Sequence, residues 1–512
     1  MKKRQILNIV NFVRGTATTD DFDRLATPVI NQIKLMKEHS LRGTFLFEYD
    51  TLICDELSAL FKDLDPHQFE FGVWHEIVQP QAEACGIEWK GRNPWDHYPH
   101  CGFPVGYTKE EREKLVDVLY EKFKEIFGYY PKVFGSWFFD SHTIRYIEEK
   151  YETDALCNCK EQFGTDGYTL WGSYYGQGYY PNRNNVFMPA KTDKNQINIP
   201  LFRMLGADPV YQYDHSVDIE RTEPNLQKVV SLEPAGTRYG GGSRKEWVDW
   251  FMKENFNGEC LSFGYAQAGQ ENSFGWHNME KGLTYQFPLF GKLQKEGKIE
   301  VEPLGETGRW YKETFKSTPT SAISAHSAFD AEKNSIWYCT KNYRINIFGE
   351  NNRLRIRDLH IFSENFEDPY ENELCKGSSS VYETLPFYDG NRYTGKGIRG
   401  GGFFTYDDKS ETEFEKMEFY DNDDGSAKIC FGEVVFDLCE DSFKITANKP
   451  FTIEQRIGID SNHLPQTKNL SEGRIDLNYN GVDYSVIAKQ GKFADKYILK
   501  SENNIIEISF EA

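Results

Sequence analysis

Short apolar runs alternate with segments of helical period from the N-terminus to about residue 317. The runs fall at 6–13, 43–47, 69–74, 132–137, 155–159, 199–204, 229–232 and 261–265. Eight such runs separated by helical segments predict an α/β fold, a parallel (β/α)8 TIM-like barrel over residues 1–317. The helices carry their own punctuation. Pro28 opens a helix over 28–39, with Ile30, Ile33 and Met36 on one face and Ser40 near its end. Thr108 and Glu111 form the spacing of a capping box before a helix over 109–127, which Gly128 closes. Ser141 caps a helix over 143–151, Trp247, Trp250 and Phe251 mark one over 244–256, and further helices are expected over 278–295 and 308–314.

Between residues 318 and 324 the texture changes. Runs at 335–340, 343–348, 353–362, 428–436 and 505–510 alternate apolar with polar positions and are separated by Gly, Asn and Asp clusters. This pattern predicts a second domain over 318–512, an antiparallel β-sandwich.

The chain has 512 residues, enough for a large core without disulfide or metal staples. For its 59.5 kDa, a single folded body exposes about 19,000 Å². Lys and Arg number 59 against 79 Asp and Glu, a formal charge of −20. Such a field repels phosphate backbones and anionic lipid, so neither nucleic acid nor membrane is expected as a partner. Aromatic residues reach 15%, including 30 Tyr and 10 Trp, a composition suited to sugars, whose C–H faces stack on rings. The ten cysteines form no CxxC pair and mostly lie in apolar runs, which points to free thiols in a reducing, cytoplasmic setting. The opening MKKRQILNIVNFV is broken by Asn8 and Asn11 and leads into Arg14, so it reads as a first strand rather than a signal peptide.

In a (β/α)8 barrel the chemistry sits at the carboxyl ends of the strands. Successive runs are followed by Arg14, Asp20, Asp21 and Asp23; by Glu48 and Asp50; by Trp74, His75, Glu76 and Gln79; by Asp140, Ser141 and His142; by Asp166 and Trp171; by Arg203; by Glu233; and by Gln267, Gln270, Glu271 and Trp276. Asp20 and Asp21 read either as catalytic acids or as a solvated helix cap, and Glu48 and Asp50 either as catalytic groups or as buried acids held by arginine. Asp140 before His142 suits a carboxylate that charges an imidazole for acid/base work. Two long segments, 79–107 and 164–183, bring Arg92, Trp95, Tyr174, Tyr175 and Arg183 to the same end and describe a pocket for a polar ring-shaped ligand. His97 and His100 beside Asp96 have metal-ligand character, but Pro99 stiffens the pair and no further ligand lies close in sequence. No metal and no cofactor are expected. No P-loop, GxGxxG or GxSxG motif is present.

Several longer strings carry a resemblance. FGVWHEIVQP at 71–80, GSWFFDSHT at 135–143, GTDGYTLWG at 164–172 and QAGQENSFGW at 267–276 resemble the barrel superfamily of polysaccharide deacetylases and several glycoside hydrolases. With a β-sandwich behind the barrel, the layout is similar to the inverting exo-sialidases of glycoside hydrolase family 156. The resemblance implies a carbohydrate-processing hydrolase cleaving a terminal sialoside with inversion. Asp20 or Asp21 would pair with His142 to activate water, and Asp140 or Glu76 would serve the leaving oxygen, acid and base standing roughly 6.5–9.5 Å apart. Arg14, Arg183 and Arg203 would receive the substrate carboxylate, Trp74, Trp95 and Trp171 would stack on the sugar, and the sandwich would pack, rim the pocket or form a homodimer. One departure matters, since Asp20 and Asp21 can stand for the paired aspartates. Metal-dependent deacetylases carry paired aspartates after the first strand and two histidines after the third, and here His75 is followed by Glu76 and Gln79. The alternatives are a metal-dependent polysaccharide deacetylase or amidase, and a non-catalytic carbohydrate-binding protein.

Overall fold

A computed structural model of the chain describes residues 3–204, 206–214, 230–235, 241–327, 332–410, 417–459 and 464–512. The first half is a curled parallel sheet. Strands β1 (Gln5–Val13), β2 (Gly43–Phe47), β3 (Phe69–Trp74), β4 (Val133–Gly135) and β5 (Ala155–Cys159) lie side by side, with Leu201–Met204 beyond β5 and Gly264–Ala268 on the other flank of β1. The first half of β1 also pairs with Glu300–Glu302, and its second half with β2. Every residue of β1 is buried, including both asparagines that interrupt its apolar pattern. Both are bonded: Asn8 Nδ2 donates to the Glu302 carbonyl and to Thr307, although Asn8 Oδ1 has no partner among the described residues, and Asn11 Oδ1 accepts from Gln32 Nε2 and Gln270 N. These bonds offset part of the cost of burying the amides and tie the strand to its neighbours.

The expected eight-stranded closure is not what forms. Among the described residues the run at 229–232 is reduced to an isolated bridge between Ser231 and Ala207, and Val229 lies outside them. Gly206 N–H donates to the Gln267 carbonyl at 3.0 Å and Leu232 N–H to the Gly206 carbonyl at 3.1 Å, so the gap is spanned by single bonds rather than by a ladder. The run is short, and Pro234 behind it has no N–H to extend a ladder. The architecture is therefore a mixed α/β fold with an incompletely closed barrel sheet.

Helices flank this sheet. The one expected from Pro28 starts a turn and a half earlier, at Phe22–Glu38, because Asp21 caps it by accepting from Arg24 N. Pro28 lies inside the helix and is buried. The helix Lys109–Phe127 begins and ends where its sequence signals place it. Thr108 Oγ1 accepts from Glu111 N, Glu111 accepts in return from Thr108 N, and Gly128 closes the helix at φ 80°. Thr108→Ala removes one side of this box and is expected to lower stability by about 1 kcal/mol in urea unfolding, with the slope unchanged.

From Ser321 onward the chain forms antiparallel sheets, one of nine strands beginning at Ser321–His326 and one of eight running from Met417–Asp421 to Ile505–Glu511. They pack together closely: a Cβ on Gly349 would lie 2.5 Å from the Phe431 ring. The antiparallel half also reaches into the first. Its strand Ser380–Glu383 pairs in parallel with Tyr168–Trp171, which forms a hairpin with Gln162–Thr165 after β5. The segment at 164–183 is thus built into a three-stranded sheet rather than left as a free loop, and 79–107 contains the short helices Gln79–Ala84 and Pro99–Gly102. Exposed surface totals 19516 Å², close to the value for one body of this mass. All ten cysteines are free. No helix among the described residues is long and apolar enough to cross a membrane.

Candidate functional site

The carboxyl ends of β1, β2, β3, β4 and Gly264–Ala268 converge on one guanidinium. Arg14 follows β1 and is buried; its NH2 bonds Glu76 at 2.9 Å, its NH1 lies 3.2 Å from Glu48 and its Nε bonds Glu271 at 3.2 Å. The backbone is pinned as well, since Arg14 N–H donates to Asn272 Oδ1 and Asn272 Nδ2 donates to the Arg14 carbonyl. Burial alone would weaken the charge on Arg14. Glu271, Glu76 and Glu48 outweigh it and hold the guanidinium well above the usual arginine range.

Glu76 is the acid with the most partners. Trp137 and Trp74 donate their indole N–H groups to Oε2 at 3.0 and 3.3 Å, and Trp95 donates to Oε1 at 2.8 Å. Trp95 also covers Arg14, with the guanidinium carbon 4.7 Å from the ring centroid. Phe12 stacks on Trp74 at 4.2 Å, and Trp137 meets both edge-on. One carboxylate thus fixes three indoles, and Trp95 and Trp137 remain half-exposed.

Two acids here are held away from their ordinary ionisation. Burial pushes the Glu48 carboxyl well up, against the pull of Arg14, and neither of its oxygens has a hydrogen-bond partner. Burial raises Glu271 too, opposed by Arg14 and by the Ser273 hydroxyl. Asp50 has a different part: it accepts from Gly15 N at 3.1 Å and Ala17 N at 2.8 Å and shapes the turn after β1.

Beside this cluster a narrow pocket is lined by Phe12, Trp137, Met204, Gln267, Gln270 and Glu233. Glu233 accepts from Gln270 Nε2 at 2.8 Å, and burial raises its carboxyl to about 7, so both protonation states are populated near neutrality. Gly269, at φ 120°, lets the chain pass over β1; a Cβ there would lie 1.9 Å from the Val10 carbonyl oxygen. Gly269→Ala is therefore expected to destabilise the protein by more than about 1 kcal/mol, read as a lower thermal midpoint.

The other sequence candidates are dispersed. Asp20 is exposed, and Asp21 is the exposed cap of Phe22–Glu38. His142 lies on Ser141–Lys150 and bonds Glu113 of the neighbouring helix at 3.0 Å, so it shares no partner with either aspartate. Asp140, rather than Ser141, caps that helix by accepting from Thr143 N, and it pairs with buried Arg112 at 2.7 Å. His75 is buried beside Phe134 with neither ring nitrogen bonded, and burial lowers it to about 4. Gln79 is spent on Glu83, and Arg92 on Asp96, with its guanidinium 3.6 Å over the Tyr98 ring.

The remaining candidates divide between the seam and the mouth. Trp171 is fully buried between the two halves and donates to Asp389. Arg203 is buried with it, bonding the Cys159 carbonyl and Glu161, and Arg183 pairs with Glu148. The expected roles for Trp171 in stacking and for Arg183 and Arg203 in receiving a carboxylate have no free groups behind them. Gln267, Gln270 and Glu271 do gather at the mouth. Asp166, exposed at φ 50° on the Tyr168–Trp171 hairpin, has its carboxyl raised by partial burial and by Glu76, against the pull of His97. Trp137 and Glu233 were not among the sequence candidates for catalysis or binding. Trp137 ends the run at 132–137 and Glu233 follows the run at 229–232, and that position was the available signal.

No protein-family model and no curated protein matches the chain. Among solved structures it is similar to a protein from Parabacteroides distasonis assigned as a glycoside hydrolase/deacetylase, at 14% identity and a TM-score of 0.55, over 75% of this chain and 91% of that one. Lower likenesses are to proteins from Mycobacterium smegmatis and Pseudomonas aeruginosa PAO1 assigned as polysaccharide deacetylases. They have TM-scores of 0.37 and 0.36 at 11% and 10% identity, over 61% of this chain and 92% and 93% of theirs. The likeness to the Parabacteroides distasonis protein is one of fold. The expected O-glycosidase is corrected: the similar structure is assigned as a glycoside hydrolase/deacetylase, and a likeness to the family 156 exo-sialidases is not shown.

Among the described residues no group of three or more His, Cys, Asp or Glu side chains could hold a metal ion. The acids that converge at the mouth do so on Arg14, a permanent cation in the space an ion would need, and His75 is turned into the core. His97 lies against Trp95 and Tyr98, while His100 bonds the Gly377 carbonyl, and Asp96 is held by Arg92. These residues do not fit an Asp-His-His site.

Proposed function

We propose that the barrel mouth binds a carbohydrate and hydrolyses an acyl bond, ester or amide, carried by that sugar, with Glu233 as the acid/base group. The observation that carries this reading is the Glu233 carboxyl, raised to about 7 in a pocket walled by Phe12 and Trp137. The likeness of the fold to the glycoside hydrolase/deacetylase supports the substrate class. In this scheme the Glu233 carboxylate takes a proton from water as the oxygen adds to the acyl carbon. The resulting acid returns that proton to the departing sugar oxygen or nitrogen, giving a free carboxylic acid and a deacylated sugar. Trp95 and Trp137, locked by Glu76, offer ring surface to the sugar, and Gln267, Gln270 and Glu271 offer hydrogen bonds.

Acetate release from acetylated xylo- and chito-oligosaccharides, followed by proton NMR with and without chelator, tests this. Release that survives chelator and is lost in Glu233→Gln is expected. Release abolished by chelator would overturn the acid/base scheme. A second reading, a carbohydrate-binding protein without turnover, is favoured by the Arg14-filled mouth. It would gain if the oligosaccharides bound without any release.

A further inference from the structure

The antiparallel half carries a groove of about 610 Å³ that the barrel mouth does not share. Its floor comes from adjacent strands of the nine-stranded sheet. Arg353 and Arg355 are two apart on Arg353–Ile361 and so face the same way, and Phe403 of Gly401–Tyr406 stands directly across from Arg355. Arg456 and Arg399 complete the lining. Four guanidiniums therefore gather in one hollow of a chain whose formal charge is −20.

Among the described residues, two of the four arginines are paired in place, and two are not. Arg353 and Arg399 make no hydrogen bond or ion pair with a described residue, although Arg399 does act on Asp214 electrostatically. Arg456 bonds Glu454, and Arg355 bonds Asp214, which it shares with buried Arg357. Glu350, also in the lining, pairs with Lys333. Rings organise the cations: Arg456 lies 4.3 Å and Arg355 5.8 Å from the Phe403 centroid, and Arg355 lies 5.4 Å from that of Phe348. Arg355 is buried and donates to Asp214 and to the Gly400 carbonyl, so it adds charge to the floor, while among the described residues Arg456 is bonded only through Nε and keeps its terminal N–H groups for a carboxylate or sulfate, as do Arg353 and Arg399. Like charges this close are held at a cost that an anion would offset.

A second hollow of about 530 Å³ adjoins the first and shares Arg353, Phe403 and Arg456. It adds Lys409 and the neutral side chains of Asn351 and Thr405. The combined surface mixes forked cations with amide and hydroxyl groups that suit the hydroxyls of a chain of sugars.

We propose that this groove binds an anionic oligosaccharide bearing carboxylate or sulfate groups, at a site separate from the barrel mouth. Titration calorimetry on the full chain tests this, with an oligogalacturonate, a sulfated dextran oligomer and neutral dextran of matched length. The expected result is binding of at least one charged oligomer and not of the neutral one, weakening as salt rises. Arg353→Ala with Arg399→Ala should weaken it at least tenfold while the thermal midpoint and the affinity of Glu76→Gln for the same oligomer stay at parent values. Equal binding of neutral and charged oligomers, or loss in Glu76→Gln with none in the double arginine variant, would overturn the proposal. So would binding of RNA or phosphatidylserine vesicles as tight as that of the charged oligomers.

Discussion

Arg14→Leu is expected to cost about 3–5 kcal/mol at pH 7, the largest loss of stability from any single change at the barrel mouth. The guanidinium is buried and faces Glu48, Glu76 and Glu271, all within 3.2 Å. Removing it leaves three buried carboxyls with like charge and no cation. Glu76 keeps its three indole donors, whereas Glu48 has no hydrogen bond to fall back on. The pH dependence follows in sign. Glu48 and Glu271 already have raised pKa values in the folded state, and the variant raises them further. An acid with a raised folded pKa favours the folded state below its unfolded value, near 4.3 for glutamate, and that contribution is lost as pH rises toward the folded pKa. The deficit of Arg14→Leu should therefore be small at pH 4 and grow toward pH 8 in thermal or urea denaturation. Arg14→Lys, which keeps a cation but not the fork, should fall between. A deficit independent of pH would show that Arg14 acts through packing against Trp95 and not through charge.

Glu233→Gln should separate activity from stability. If Glu233 exchanges the proton, acyl-sugar hydrolysis should fall by about 10²- to 10⁴-fold, and the limb of the pH–rate profile near 7 should disappear. The same change should stabilise the protein above neutrality. Burial raises Glu233 to about 7 from the ordinary 4.5, so its contribution to stability fades as pH rises from about 4.5 through 7. Glutamine keeps an oxygen to accept from Gln270 and never ionises. The variant should match the parent at pH 4 and melt higher at pH 8, a gain expected where a charge is buried for function. A parent and variant equally stable at both pH values would mean that Glu233 ionises normally, and the acid/base assignment would lose its basis.

Local signals in the sequence are enough for much of the framework. The apolar runs at 43–47, 69–74 and 155–159 are strands with the same bounds, and the helix Lys109–Phe127 follows its capping box and closing glycine. Such signals are local: a strand is written in consecutive side chains and a cap in residues three apart. Where a local signal had a rival it failed. Pro28 marks a helix start in isolation, but Asp21 offers a better cap one and a half turns earlier, and the longer helix buries Leu25 and Ala26.

The site was legible only in outline. Position after a barrel strand points to Arg14, Trp74, Glu76, Gln267, Gln270 and Glu271, which lie together because parallel strands must bring their carboxyl ends together, although Trp74 is fully buried against Phe12 and has no face for the sugar expected to stack on it. The same rule also admitted His142, Asp140, Arg203 and Trp171, which the tertiary structure spends elsewhere. Those side chains point to a neighbouring helix or to the seam with the antiparallel half, where Glu113, Arg112, Glu161 and Asp389 hold them. Each of these partners lies at least 28 residues away, and no local pattern encodes such a meeting.

The sequence by itself therefore determined the elements, the order in which they alternate and the end of the sheet where polar groups collect. Only the tertiary structure decided that three glutamates close on Arg14, and that half-buried Glu233 sits in a pocket that raises its carboxyl. It also gathered four arginines into one groove on an otherwise acidic molecule. Charge and burial at a site are sums over residues far apart in the chain, and folding alone brings them within reach of one another.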